Sequence, residues 1–207
     1  MSLKVVTLLA LALAASGCGE VARSGRSPVQ VVIQSLVGAS GAAPDELGNP
    51  VLSDIITNVT SPAPCSATSP CATFFNDLGE VTMSLVLKDP GQPGLPASPS
   101  DLNQVTFTRY RVSYRRSDGR SQQGVDVPYA FDSAVTFTVP AQGTVSVGFE
   151  LVRNIAKREA PLLALRESGA ILSTVADVSF YGADQAGNEI TVTGSIAVNF
   201  GNFADRD

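Results

Sequence analysis

Apolar and polar residues alternate one by one along most of this chain, and that period dictates sheets before any other feature is considered. Val29, Val31, Ile33 and Val37 alternate with Gln30 and Gln34, and Val81, Met83, Leu85 and Leu87 alternate with Thr82, Ser84 and Lys88. Val135, Phe137 and Val139 are separated by Thr136 and Thr138, and Val145, Val147, Phe149 and Leu151 come after a Gln142-Gly143 turn. Leu172, Val178 and Phe180 share one parity, as do Ile190, Val192, Ile196, Val198 and Phe200. Successive side chains of a strand point to opposite faces, so each apolar set lies on the buried face of an antiparallel sheet. The expected fold is all-β, an antiparallel sandwich with at most one short helix, placed at Ala160 to Ser168 with Gly169 as its stop. Two long Pro-rich loops, Ser61 to Pro70 and Asp89 to Pro99, must lie outside sheet centres because proline cannot donate to a ladder.

Composition narrows the chemistry. The 207 residues carry 44% hydrophobic and 16% charged side chains, enough for a packed core. The formal charge of −5 argues against a nucleic-acid partner, which is held by clustered positive charge. The chain contains no histidine, which removes Ser-His-Asp and Cys-His nucleophiles and any His-ligated zinc. It contains no tryptophan, the usual stacking platform for sugars. No cofactor and no metal site are expected.

The N-terminus reads as an export signal. Lys4 precedes an apolar run from Val5 to Ala15 that ends in Ala15-Ser16-Gly17-Cys18. As a helix this run spans less than about 20 Å, too short for a bilayer core of about 30 Å. The ending resembles the bacterial lipobox, with Ala15 where leucine is more usual. The resemblance implies cleavage before Cys18, a lipid on the Cys18 thiol, and anchoring by two or three acyl chains. Gly19 in place of aspartate after the cysteine favours the outer membrane of a Gram-negative envelope. The chain then divides into a signal peptide over 1–17, a lipidated tether over 18–28 and a sandwich domain over 29–207. With Cys18 lipidated in an oxidising compartment, Cys65 and Cys71 are the remaining pair for a disulfide. So short a loop gains only about 2 kcal/mol from closure, a local staple.

Two stretches resemble the immunoglobulin-like or fibronectin type III-like modules of bacterial surface proteins. They are Tyr110 to Tyr114 running into Ser117-Asp118-Gly119, and Val178 to Asp184 with Gly187-Asn188-Glu189 after it. The resemblance covers roughly the C-terminal half of the chain and implies an immunoglobulin-like scaffold for binding or spacing. The missing tryptophan departs from both families.

Arg109, Arg111 and Arg115 share one strand parity opposite Tyr110, Val112 and Tyr114, and with Arg116 and Arg120 form the one basic cluster of an acidic chain. Such a stripe can bind anionic lipid headgroups or an acidic polymer. The simpler reading is a solvated sheet face that discourages edge pairing. Asp184, Asn188 and Glu189 fit a hairpin turn, with Gly187 or Asn188 at positive φ, better than a calcium loop. The carboxylates at Asp45, Glu46, Asp126 and Asp132 show no acid–base spacing. The function expected is that of a non-enzymatic, membrane-anchored envelope lipoprotein whose sandwich binds or spaces a partner, an envelope protein or a surface polymer. The alternative is a module that binds a glycan or anionic surface polymer through the Arg109/Arg111/Arg115 strand and the long loops.

Overall fold

A computed structural model describes residues 26–203. Residues 1–17 and Cys18 lie outside the described residues, so the expected leader and lipid site are not part of the structural account. The elements run β1 (Val29–Ala39), β2 (Val51–Asp54), β3 (Thr57–Val59), β4 (Cys71–Thr73), β5 (Asp77–Leu87), β6 (Gly91–Gln92), β7 (Leu95–Pro96), β8 (Val105–Arg116), β9 (Phe131–Val139), β10 (Thr144–Val152), β11 (Leu172–Asp184) and β12 (Glu189–Gly201). A three-stranded sheet in the order β1-β5-β10 faces a five-stranded sheet in the order β2-β12-β11-β8-β9. Within these two sheets every strand pairing is antiparallel except that of β2 with β12. The chain thus forms the all-β, two-sheet sandwich that its alternation demands.

Alternation does what the period predicts. Val81, Met83 and Leu85 from one sheet and Val112, Val178, Phe180, Val198 and Phe200 from the other are buried in a single core. The centre of this core is aromatic. Tyr110 of β8, Phe149 of β10 and Phe180 of β11 meet with ring centroids 5.4 to 5.9 Å apart, bridging the two sheets. Tyr110 and Tyr114 also cross the sandwich through their hydroxyls. Tyr110 Oη accepts from the Glu150 N–H at 3.1 Å, and Tyr114 Oη donates to the Leu151 carbonyl at 2.6 Å. Burial pushes the Tyr114 hydroxyl well above its ordinary range, so it stays a donor.

Two expectations need correction. Val37 does not join Val29, Val31 and Ile33 against the core. A bulge between Ile33 and Ser35 inserts Gln34 and reverses the parity of the rest of the strand. Leu36 therefore packs on the core beside Ile33. The helix expected over Ala160 to Ser168 is a 3-10 turn at Leu162–Leu165, preceded by another at Ala156–Arg158. Only Leu162 of the Leu162–Leu165 run is buried, and one buried side chain does not offset the nucleation of an α-helix. Gly169 ends the segment at φ +62°, as expected. A third 3-10 turn, Asp101–Asn103, leads into β8.

The Tyr114 bond yields a measurable expectation. Tyr114→Phe should keep the ring in place but leave the Leu151 carbonyl without its donor. Urea denaturation should show a loss of about 1–2 kcal/mol with an unchanged slope.

Candidate functional site

β8 carries the basic residues because its inward parity is fully used by the core. Tyr110, Val112 and Tyr114 are buried, so Arg109, Arg111 and Arg115 must project from the outer face of the five-stranded sheet. Each meets a carboxylate there. Arg109 Nη1 lies 2.7 Å from Asp132 Oδ1, and Arg111 Nη1 bonds the other oxygen of the same group. Arg115 Nε donates to Asp177 Oδ2 at 3.1 Å, and Ser195 Oγ donates to Asp177 Oδ1 at 2.6 Å. Asp118 Oδ2 accepts from Arg120 Nη2 at 2.8 Å and lies 3.3 Å from Arg116 Nε, which makes no hydrogen bond. Hydrogen bonds from the Arg120 side chain and backbone hold the Asp118 carboxyl down at about 2. The basic cluster of the sequence is therefore a lattice of exposed ion pairs with its charge largely cancelled. Pairs of this kind contribute little stability individually.

Nothing local to β8 signals the Asp132 and Asp177 partners, because β9 and β11 come beside β8 only in the folded sheet. Sequence reasoning also missed the groove beside Arg109. A bulge leaves Thr108 of β8 unpaired between the Tyr181–Arg109 and Gly182–Phe107 pairs. At Gly182 a Cβ would lie 2.2 Å from the Thr106 carbonyl, so only glycine permits this approach of β11 to β8. The distortion opens a shallow groove of about 640 Å³ lined by Thr106, Thr108, Arg109, Tyr181, Glu189 and Thr191, among others. The Arg109 guanidinium stacks 4.1 Å above the centre of the Tyr181 ring.

The groove ends at the β11–β12 turn. Gly187 takes φ +81°, and Asp184 Oδ1 accepts the backbone N–H groups of Ala186 and Asn188 at 3.0 and 2.9 Å. Partial burial would raise the Asp184 carboxyl. Hydrogen bonds from the Asn188 side chain and backbone, from Ser27 and from Ala186 outweigh it and hold the group below its ordinary value. The oxygens of Asp184 are thus committed to a hairpin turn.

Cys65 and Cys71 form a disulfide with their Cα atoms 5.3 Å apart. Cys71 begins β4 and pairs with Val59 of β3, so the bond ties Cys65 of the connecting loop back to the loop end of a three-residue hairpin.

One ion pair among the described residues is fully buried: Lys157 Nζ lies 2.7 Å from Asp77 Oδ1, with both side chains enclosed. Ser53 Oγ donates to Asp77 Oδ2, and the Gly41 N–H donates to Oδ1 at 2.9 Å. Burial pushes the Asp77 carboxyl above its ordinary value, while Lys157 and the donated hydrogen bonds pull it back. Sequence spacing carries no hint of this pair, since the partners are 80 positions apart. With three donors converging on the carboxyl, its geometry is that of a structural clamp, and it lies outside the groove lining.

No protein-family model and no curated protein matches this chain.

Removing half of a buried pair leaves an uncompensated charge, whereas removing both halves does not. Lys157→Met should lower stability by about 3–5 kcal/mol. Asp77→Asn combined with Lys157→Met should recover most of that loss in chemical denaturation. Equal losses in the single and double variants would show that the ion pair itself has no such role.

Proposed function

We propose that this protein is a non-enzymatic lipoprotein of the bacterial envelope, anchored through Cys18, whose sandwich binds or spaces a partner outside the cytoplasm. The observation that carries this reading is the disulfide between Cys65 and Cys71 in a chain that opens on an export and lipobox pattern. The two features are separate in sequence and in chemistry, yet both belong to an oxidising compartment beyond the inner membrane. The outer sheet face fits a scaffold: its arginines are held by its own aspartates, and its Ser and Thr hydroxyls bond one another across strands, as Ser179 does with Thr193 at 2.8 Å. Gly19 after the anchor cysteine points to the outer membrane.

Cys18→Ser is expected to move the protein from the membrane fraction into the soluble periplasmic fraction. Intact mass of the unaltered protein should show residues 1–17 removed and a diacylglyceryl group added. A chain that stays in the membrane fraction after Cys18→Ser refutes the anchor.

One observation favours a second reading, a module for a glycan or anionic surface polymer. Tyr181, Arg109 and the hydroxyls of Thr106, Thr108 and Thr191 converge on one open groove. Because Arg109 is already paired with Asp132, such binding would rest on stacking and hydroxyl contacts more than on net charge. Under this reading, retention on immobilised envelope polysaccharide should fall at least tenfold with Tyr181→Ala and change little with salt. Equal retention of the variant removes it.

A further inference from the structure

We infer that the Pro-rich finger between β5 and β8 seats Leu95 and Leu102 in the interface of the bilayer that holds the lipid anchor, so that the sandwich stands on the membrane through protein as well as lipid. This rests on the anchor reading proposed above.

The finger is built to hold its shape without the core. Pro93 fixes one turn position and Gly94, at φ +88°, supplies the next, a pairing that closes a tight hairpin. Gly91 pairs with Pro96 and Gln92 with Leu95. The Ala97 N–H donates to the Pro90 carbonyl, and the Gly91 N–H donates to the Asp89 carboxylate, both at 2.9 Å. Pro93, Pro96 and Pro99 remove backbone donors that would otherwise need partners. Every residue from 88 to 98 is exposed, so the segment projects from the fold. Leu95 at the hairpin and Leu102 in the 3-10 turn after it are 78% and 77% exposed, the two most exposed large apolar side chains of the described residues. Leu95 and Leu102 are thus the strongly exposed apolar side chains that this ordered segment offers.

The path of the chain identifies that surface. The Lys88 N–H, at the root of the finger, donates to the Pro28 carbonyl at 2.9 Å. Ser27 is buried, and its hydroxyl bonds Asp184 at the end of β11. The N-terminal segment therefore leaves the sandwich at the finger's own end. Cys18 precedes Ser27 by only nine residues, a reach of at most ~32 Å even when fully extended. The opposite end lies a further ~40 Å away along the 12 residues of β8. The finger is thus the exposed apolar feature at the end the tether holds closest to the lipid. Arg26 and Lys88 are outnumbered by Asp89, Asp101, Asp184 and Glu189 at this end, so the contact is apolar insertion and not attraction to anionic headgroups.

The absence of tryptophan makes the test clean. Leu95→Trp and Leu102→Trp each introduce a single reporter, and Val125→Trp, at a position 60% exposed in the loop between β8 and β9 at the far end, serves as the reference. The full lipidated chain, its acyl groups verified by intact mass, is reconstituted into phosphatidylcholine vesicles. The emission of Leu95→Trp and Leu102→Trp should shift to shorter wavelength and be quenched by brominated acyl chains. It should be insensitive to salt, and Val125→Trp should stay at the emission of water. Lipidated protein whose Leu95→Trp and Leu102→Trp emission remains that of water overturns the insertion and leaves the anchor standing. A shift that requires added envelope proteins assigns the finger to a protein partner and likewise overturns it. A purified chain with no acyl mass overturns the anchor, and the insertion with it.

Discussion

The Asp77 carboxylate is the point on which the connections of this sandwich converge. It begins β5, yet its ligands come from the β1–β2 connection at Gly41, from β2 at Ser53 and from the β10–β11 connection at Lys157. These segments pass between or beside the two sheets, where alternation of side chains says nothing about how they should lie. A fully buried charge that accepts three hydrogen bonds does say. Any other route for these segments leaves either the carboxylate or the ammonium unpaired in a low-dielectric interior, which is far more costly than losing a surface contact. The ion pair therefore joins four segments that the hydrophobic pattern alone does not tie together.

The two tyrosines of β8 make a comparable selection within the core. Tyr110 and Tyr114 are packed as aromatic side chains, but each hydroxyl requires a partner in the opposite sheet, and each finds it on adjacent residues of β10. Dispersion and area burial would tolerate a slip of β10 along β8. Two hydroxyl bonds, one donated and one accepted, are directional and would have to be broken by such a slip. Several aromatics thus fill the centre of the core, and two of them bond across the sheets through their polar tips.

Legibility in the sequence tracks the range of the interaction. Local period-2 alternation is enough to read β5, β9, β10 and the inward face of β12, and turn chemistry is enough to read the Asp184–Asn188 hairpin. The bulge at Gln34 is not readable, since its cause is the demand that Ile33 and Leu36 both reach the core, a property of the closed sandwich and not of residues 29 to 39. The Leu162 segment misleads for the opposite reason: its leucines imitate a helix, while Leu162 alone is fully buried, Leu165 packs only partly on the core and Leu163 is exposed. At the outer face the arginines are legible as a stripe but their neutralisation is not, because Asp132 and Asp177 are brought in by strands 17 and 62 positions further along the chain from Arg115. Parity predicts the face on which a charge lies. Only register predicts what lies next to it.

That distinction bears on how the molecule presents itself. A sheet face whose ion pairs and hydroxyls are already satisfied gains little from a new partner, since each new contact must displace an existing one. The edge strands β1, β2, β9 and β10 offer unpaired backbone; on β9 and β10, Asp132 and Glu150 are charged interruptions and are themselves bound by arginines. The groove opened by the Thr108 bulge and the finger carrying Leu95 and Leu102 are the surfaces on which the proposed binding readings rest. Both lie toward the end at which Ser27 is fastened to Asp184, whereas the Asp77 clamp lies at the other. The two ends are therefore closed differently, one by a buried ion pair and the other by the Ser27–Asp184 contact beside the finger and the groove.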